Sequence, residues 1–346
     1  MDQKLFFYLY NMNSSKIARW FESENGTVVC NLCPHRCNIK EGKTGICQVR
    51  QNVKGKLYAL TYGKVSALHL DPIEKKPLYH FYPGRYILSA GSIGCNLDCD
   101  FCQNHEISQA DPGTYHITET YSPGDLVSKA LAYSGNIGIA FTYNEPVIWF
   151  EYIIDTATIA RNAGLKNVVV TNGYINESPL GELLSVMDAF SVDLKAFSDS
   201  FYSKTSGGKL EPVLNSLRQI RQADKHLEIV NLVIPHLNDD KEIFSSMINW
   251  ISKELGDDTV LHLSRYFPRH RLGIEPTPFN ILEELGNIAR KSLKHVYIGN
   301  VNTGHNDTFC PQCRSLLISR QGYIVSCAGL DGSGRCIACG LKFCDI

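Results

Sequence analysis

Short runs of apolar, often β-branched residues recur along the middle of the chain, at positions 86–90, 137–141, 167–170, 190–194, 228–234 and 260–263. Between them, positions 126–133, 147–162, 180–186, 213–223 and 242–255 carry apolar residues at intervals of three and four, which predicts helices with one buried face. Gly164, Gly173 and Gly256 fall at breaks in this pattern. Strands alternating with helices read as βα units around a parallel sheet, so the class is α/β and the architecture a barrel or partial barrel of the (β/α)6 kind. A later helix at 281–291 leads to 296–298, which offers one more strand. No internal repeat or low-complexity tract interrupts the pattern. Either side of it the chain turns cysteine-rich, which divides it into three parts: 1–84, a core at 85–305, and 306–346.

Composition narrows this picture. At 346 residues, 44% hydrophobic and 20% charged, the chain has enough apolar material for one large core and is too apolar for a disordered one. Lys and Arg number 34 against 35 Asp and Glu, so no net charge draws it to nucleic acid or an anionic membrane. The apolar run at 5–9 is too short to span a bilayer, and it lacks the basic flank and cleavage site of a secretory signal. The expected compartment is the cytoplasm, where thirteen cysteines point to metal ligands rather than disulfides.

Those cysteines fall into three groups. The middle one, SAGSIGCNLDCDFCQN, spaces Cys95, Cys99 and Cys102 as CxxxCxxC directly after the first apolar strand. In a parallel barrel the loop leaving a strand lies at the C-terminal face, where active sites are built. Three thiolates there can hold three irons of a 4Fe-4S cube and leave the fourth iron open to a ligand. The bland alternative is buried or zinc-binding thiols, for which His105 would be the nearby fourth ligand.

The strings CNLCPHRCNIKEGKTGIC, DPIEKKPLYHFYPG, GCNLDCDFCQN, FTYNEP, VTNGYI, DLKAF and VIPHLND, with YIGN further on, together resemble the radical S-adenosylmethionine (SAM) superfamily. Within it, the chain is similar to the branch of pyruvate formate-lyase activating enzyme, and above all to AmmeMemoRadiSam-type proteins. The resemblance implies that SAM binds the open iron through its amino and carboxylate groups and is cleaved reductively to a 5'-deoxyadenosyl radical, which abstracts hydrogen from a substrate. It puts Glu145 at the SAM ammonium with Asn144 alongside, and Phe101 near adenine. It also implies that Thr171, Asn172, Asp193 and Lys195 surround SAM, Lys195 opposing its carboxylate. Val170 and Phe267 stand where the activating enzymes carry an acid and a histidine, so the cation site of those enzymes is not expected here. Ser264 and Arg265, at the end of the sixth strand, are further candidates for SAM or substrate. The loop at 71–84, with Glu74, Lys75, Lys76, Tyr79 and His80, is expected to close the barrel mouth or present substrate.

At the N-terminus, Cys30, Cys33, Cys37 and Cys47 suit tetrahedral zinc or an auxiliary iron-sulfur cluster, and spacing does not choose between them. A module this small gains folding energy directly from its metal, so a structural metal site is the default expectation. At the C-terminus, CPQC and CIAC form paired knuckles around a hairpin-like stretch, a zinc-ribbon signal with Cys310, Cys313, Cys336 and Cys339 as ligands and Cys327 and Cys344 spare. An iron-sulfur site is the alternative there. The terminal modules, with the 71–84 loop, are expected to choose the target. Partners implied are an electron donor such as flavodoxin or ferredoxin and, by resemblance, Memo-like and AMMECR-like proteins. Three competing readings stand beside the radical enzyme of unspecified substrate: a glycyl-radical activase, a non-catalytic metal-binding scaffold, and an RNA-modifying enzyme, though no arginine-aromatic patch supports the last.

Overall fold

The computed structural model describes residues 15–115, 119–301 and 306–346; the apolar run at 5–9 lies outside them. Eight strands make the central sheet: β1 (Ala67–Pro72), β2 (Tyr86–Gly91), β3 (Asn136–Phe141), β4 (Lys166–Thr171), β5 (Ala189–Asp193), β6 (His226–Val233), β7 (Val260–Arg265) and β8 (His295–Gly299). They lie side by side in chain order; β2 to β8 are parallel and β1 pairs antiparallel with β2. The sheet is thus a partial barrel with free edges at β1 and β8. Strands such as β3 and β4 are almost wholly buried, which explains their near-continuous apolar sequence.

The six strands expected from the sequence are β2 to β7, and the further run at 296–298 is β8. β1 was not foreseen. It is an edge strand, ALHLDP, with Asp71 its one fully buried residue, so it carries no apolar pattern to read. It also lies upstream of residue 85 yet belongs to the central sheet.

The crossover helices are α1 (Pro123–Ala132), α2 (Phe150–Asn162), α3 (Glu177–Val186), α4 (Leu210–Gln222) and α5 (Lys241–Glu254), with α6 (Phe279–Ala289) before β8. α1 starts three residues earlier than periodicity suggests, because Ser122 and Asp125 form a capping box and Pro123 fits its first turn. Asp240 caps α5 by accepting from Glu242 N and Ile243 N. α4 buries Val213, Leu214, Leu217 and Ile220 along one face. No helix among the described residues is long and apolar enough to cross a membrane.

Two small antiparallel sheets form the N-terminal module, one from Phe21–Glu24, Thr27–Cys30 and Asn38–Ile39, the other from Lys16–Ile17, Arg50–Val53 and Lys56–Ala59. The module is anchored by a buried ion pair: both Arg50 terminal nitrogens reach Glu151 of α2, at 3.0 and 2.7 Å. Asn176, ahead of α3, donates from its backbone to Leu32 O and from its side chain to Asn31 O.

The segment after β1 leaves from the barrel's N-terminal end, since Pro72 pairs with Tyr86 at the start of β2. It turns inward rather than over the mouth. The backbone N–H groups of Tyr79 and His80 donate to the fully buried carboxylate of Glu228 on β6, which also meets the rings of His226 and His262. Burial opposes charge on Glu228, but those two histidines outweigh it and hold its carboxyl well below the usual range. Glu74 accepts from Gly84 N and so serves the loop itself.

The C-terminal module, with strands Thr308–Phe309, Leu316–Gln321 and Ile324–Ser326, packs on this same end of the barrel. Arg320 donates to Tyr79 O at 2.6 Å, Phe343 packs against the rings of His80 and His295, and Tyr82 N donates to Asp345 O. Of the two roles expected for the 71–84 loop, closing the barrel mouth does not fit: the loop is a floor, not a lid. The C-terminal module sits at the end opposite the loops that follow the strands.

Candidate active site

At the C-terminal ends of β2 to β6 the chain encloses a cavity of about 450 Å³. Cys95, Cys99 and Cys102 line it, as do Phe101, Asn144, Glu145, Thr171, Asn172, Asp193 and Lys195. These residues come from four separate strand-to-helix connections, so the topology alone brings them together.

The cysteine loop is held from both sides. Asp98 N and Asp100 N donate to Ser206 O and Thr205 O, and Arg271 pairs with both aspartates. Asn144 accepts from Ser92 N through Oδ1 and donates to Gly94 O through Nδ2. Its amide is therefore spent on fixing the loop. Gly91, which starts the turn, has no room for a side chain: a Cβ would lie 2.7 Å from Thr142 O.

Glu145 is fixed by the next strand. Thr171 Oγ1 donates to its Oε1 at 2.6 Å, Val147 N donates to the same oxygen, and Asn172 N donates to Oε2 at 2.8 Å. Burial pushes its pKa up to about 7, and these bonds counter the shift only in part. Asn172 continues the chain of contacts, its Nδ2 donating to Asn96 Oδ1 at 2.9 Å and lying 3.8 Å from Cys95 Sγ.

On the opposite wall, Lys195 Nζ is 3.0 Å from Asp193 Oδ2 and 5.8 Å from the centre of the Phe101 ring. Burial disfavours the ammonium, but Asp193 and the Cys99 thiol outweigh it and raise the lysine's pKa. Burial likewise pushes the Cys95 and Cys99 thiols up, Glu145 adding to the effect at Cys95.

Further residues line the cavity, among them three that share one carboxylate. Lys75 and Lys76 reach the cavity from the inward-turned floor, and Tyr143 from the bend after β3. All three bond Asp71: Lys75 Nζ at 2.8 Å, Lys76 Nζ at 2.7 Å and Tyr143 Oη at 2.7 Å. Lys76 is buried while Lys75 is half-exposed. The lysines were visible in the 71–84 motif; Tyr143, inside FTYNEP, carried a signal in its neighbours. Ser264 and Arg265 do not line the cavity: Arg265 Nε donates to Thr277 O and its guanidinium lies over the Phe267 ring.

The sequence profile of the Radical SAM superfamily matches residues 91–247, from the end of β2 through β6 and into α5. This chain belongs to the radical SAM superfamily. Protein MJ0808 of Methanocaldococcus jannaschii, itself uncharacterised, is 42% identical over 331 residues, 94% of this chain and 98% of its own length. Pyruvate formate-lyase-activating enzyme of Listeria monocytogenes is 24% identical over 170 residues, 46% of this chain and 66% of that one. Among solved structures, a radical SAM methyltransferase from Sphaerobacter thermophilus aligns at 16% identity with a TM-score of 0.48, covering 63% of this chain and 67% of that one.

Membership in the radical SAM superfamily implies a 4Fe-4S cluster and SAM, and the residues present fit both. The three thiols share one wall of the cavity, and their sulfurs are not drawn together within 4.8 Å as single-ion ligands are. Leu97 N, 3.3 Å from Cys95 Sγ, offers a donor to a thiolate. The same cavity is lined by a buried acid, Glu145, and a partly buried cation, Lys195.

The C-terminal quartet has different geometry. All four sulfurs of Cys310, Cys313, Cys336 and Cys339 lie within 4.8 Å of one another, with Cys310 to Cys339 and Cys313 to Cys336 each at 3.6 Å. Tetrahedral bonds of about 2.3 Å put sulfurs about 3.8 Å apart, so this group suits one metal ion. Cys30, Cys33, Cys37 and Cys47 surround a separate small cavity beside the cysteine loop.

Proposed function

We propose that this protein cleaves SAM reductively and abstracts hydrogen from a substrate seated in the 450 Å³ cavity. The observation that carries the reading is the sharing of one cavity by the CxxxCxxC thiols, the fixed acid Glu145 and the partly buried cation Lys195. When bound, a 4Fe-4S cluster with SAM supplies one electron and a 5'-deoxyadenosyl radical. Cys95, Cys99 and Cys102 hold the cluster. Glu145, immobilised by Thr171 and Asn172, takes the SAM ammonium; Lys195 faces the carboxylate, held in place by Asp193. Asn144 keeps the loop in register, and Phe101 walls the adenine side. Lys75, Lys76 and Tyr143 form the end at which substrate enters contact, two cations against the single carboxylate of Asp71, which suits an anionic group.

The similarity to activating enzymes supports a glycyl-radical-activase-type modification as the particular reaction, and the shared strings support the AmmeMemoRadiSam type, with Memo-like and AMMECR-like proteins as partners and a flavodoxin or ferredoxin as electron source. Anaerobic reconstitution with iron and sulfide, followed by dithionite and SAM, tests the core of the reading. 5'-Deoxyadenosine is the expected product, lost in Cys99→Ala; a fully formed cluster that yields none would favour the metal-binding scaffold.

A further inference from the structure

The N-terminal cysteines gather where the mechanism above makes no use of them. Cys30 ends a strand and its N–H donates to Cys37 O, which closes the first knuckle; Cys47 lies within a tight turn in which Gln48 N donates to Gly45 O. Cys30, Cys33 and Cys47 are buried, and the four thiols with Arg50 line one cavity of about 10 Å³.

Two features of this cavity specify its occupant. The first is spacing. The four C-terminal sulfurs lie within 4.8 Å of one another, whereas among the described residues neither the N-terminal quartet nor Cys95, Cys99 and Cys102 is drawn together so closely. The second is charge. Arg50 is 1% exposed, and its Nε–H finds no acceptor among the described residues, although its terminal nitrogens are taken by Glu151. A buried, unmet donor at the cavity wall calls for an anionic group inside it.

The site also abuts the loop of the active site. A Cβ on Gly94, at φ +92°, would lie 2.8 Å from Cys47 O, so the two cysteine motifs meet backbone to backbone. Asn96 lines this cavity, its carbonyl bonds His35 Nε2 at 2.6 Å, and its side chain bonds Asn172 of the active site.

We infer that Cys30, Cys33, Cys37 and Cys47 hold an iron-sulfur cluster, a second one placed directly against the Cys95 loop. Thiolates bridged by several irons span the wider spacing, and the net negative cluster gives Arg50 Nε its acceptor. This assignment stands apart from SAM cleavage.

The test uses the full chain carrying Cys95→Ala, Cys99→Ala and Cys102→Ala, reconstituted anaerobically with ferrous iron and sulfide. It should retain iron and acid-labile sulfide in equal amounts, with visible charge-transfer absorption, and lose both when Cys30→Ala and Cys33→Ala are added. Zinc, or iron without sulfide, in the triple variant would overturn the assignment, as would sulfide that survives the two added changes. Should the triple variant not fold, Mössbauer spectra of the unmodified chain with and without SAM serve instead. A population of cluster iron indifferent to SAM and absent from Cys30→Ala/Cys33→Ala is expected; a single cluster whose signal is unchanged in that variant would refute it.

Discussion

Thr171 Oγ1 donates to Glu145 Oε1 at 2.6 Å, the shortest of the three bonds that fix this buried carboxyl. Because burial pushes Glu145 up to about 7, the acid is only partly ionised at neutral pH. A cationic ligand needs the ionised form. SAM affinity should therefore rise with pH as Glu145 ionises, roughly tenfold per unit below 7, until the ligand's own α-amino group, with an ordinary pKa of about 8, begins to lose its charge. Thr171→Val removes a bond that favours the charged carboxylate, so the midpoint should move upward and binding at pH 7 should weaken. Equilibrium dialysis of SAM from pH 6 to 8 reads both effects, and a flat profile would remove Glu145 from the ammonium site.

Arg50 and Glu151 are each 1% exposed and joined by two hydrogen bonds. Replacing Arg50 with Met strands a buried carboxylate, which costs about 3–5 kcal/mol. Adding Glu151→Leu removes the stranded charge and should restore much of that loss. Urea unfolding of the single and double variants checks it; equal stabilities for the two would contradict a tightly coupled pair.

Asp71 holds the two floor lysines and Tyr143. Burial pushes its carboxyl up, but Lys75, Lys76 and Tyr143 prevail and keep it well below the usual carboxylate range. The stabilisation is thus fully present above about pH 4, the ordinary aspartate value, and is lost only as pH falls through the depressed one. Asp71→Asn, which leaves buried Lys76 without its counterion, should be destabilised by a similar margin at pH 8 and at pH 5. A gap that closes by pH 5 would show that Asp71 titrates in the ordinary range.

The C-terminal quartet should bind one zinc ion per chain, and Cys313→Ser together with Cys336→Ser should release it. Since Arg320 and Phe343 of that module pack on the barrel floor, metal loss should also expose the junction near residue 306 to protease. Elemental analysis and limited proteolysis report the two consequences separately. Retention of zinc in the double variant would assign the ion to other ligands.

Much of this was legible in the sequence for a definite reason. Strand ends fix which end of a barrel a residue occupies, so CxxxCxxC, FTYNEP, VTNGYI and DLKAF converge once the βα alternation is read. Strand ends do not fix where a side chain points, and Arg265 turns to Thr277 and Phe267 instead of the cavity. The inward course of the 71–84 loop depends on Glu228, some 150 residues away, and no local pattern announces that partnership. The same holds for Asn144, whose position is at the cavity but whose hydrogen bonds serve the cysteine loop. The two terminal quartets look alike as CxxC spacing and differ in how far the fold lets their sulfurs approach.

The open seam of the barrel has a bearing on how distant parts of the molecule are linked. Rings of Tyr79 and His80, on the inward loop, pack on Tyr297 of the last barrel strand, and Arg320 stacks over Tyr79. Tyr79 also gives its backbone N–H to Glu228 and its carbonyl to Arg320, so one residue of the loop joins the sixth barrel strand to the C-terminal module. A disturbance of that module therefore has a direct covalent and hydrogen-bonded route to the base of the chamber, although the module contributes no side chain to the chamber itself.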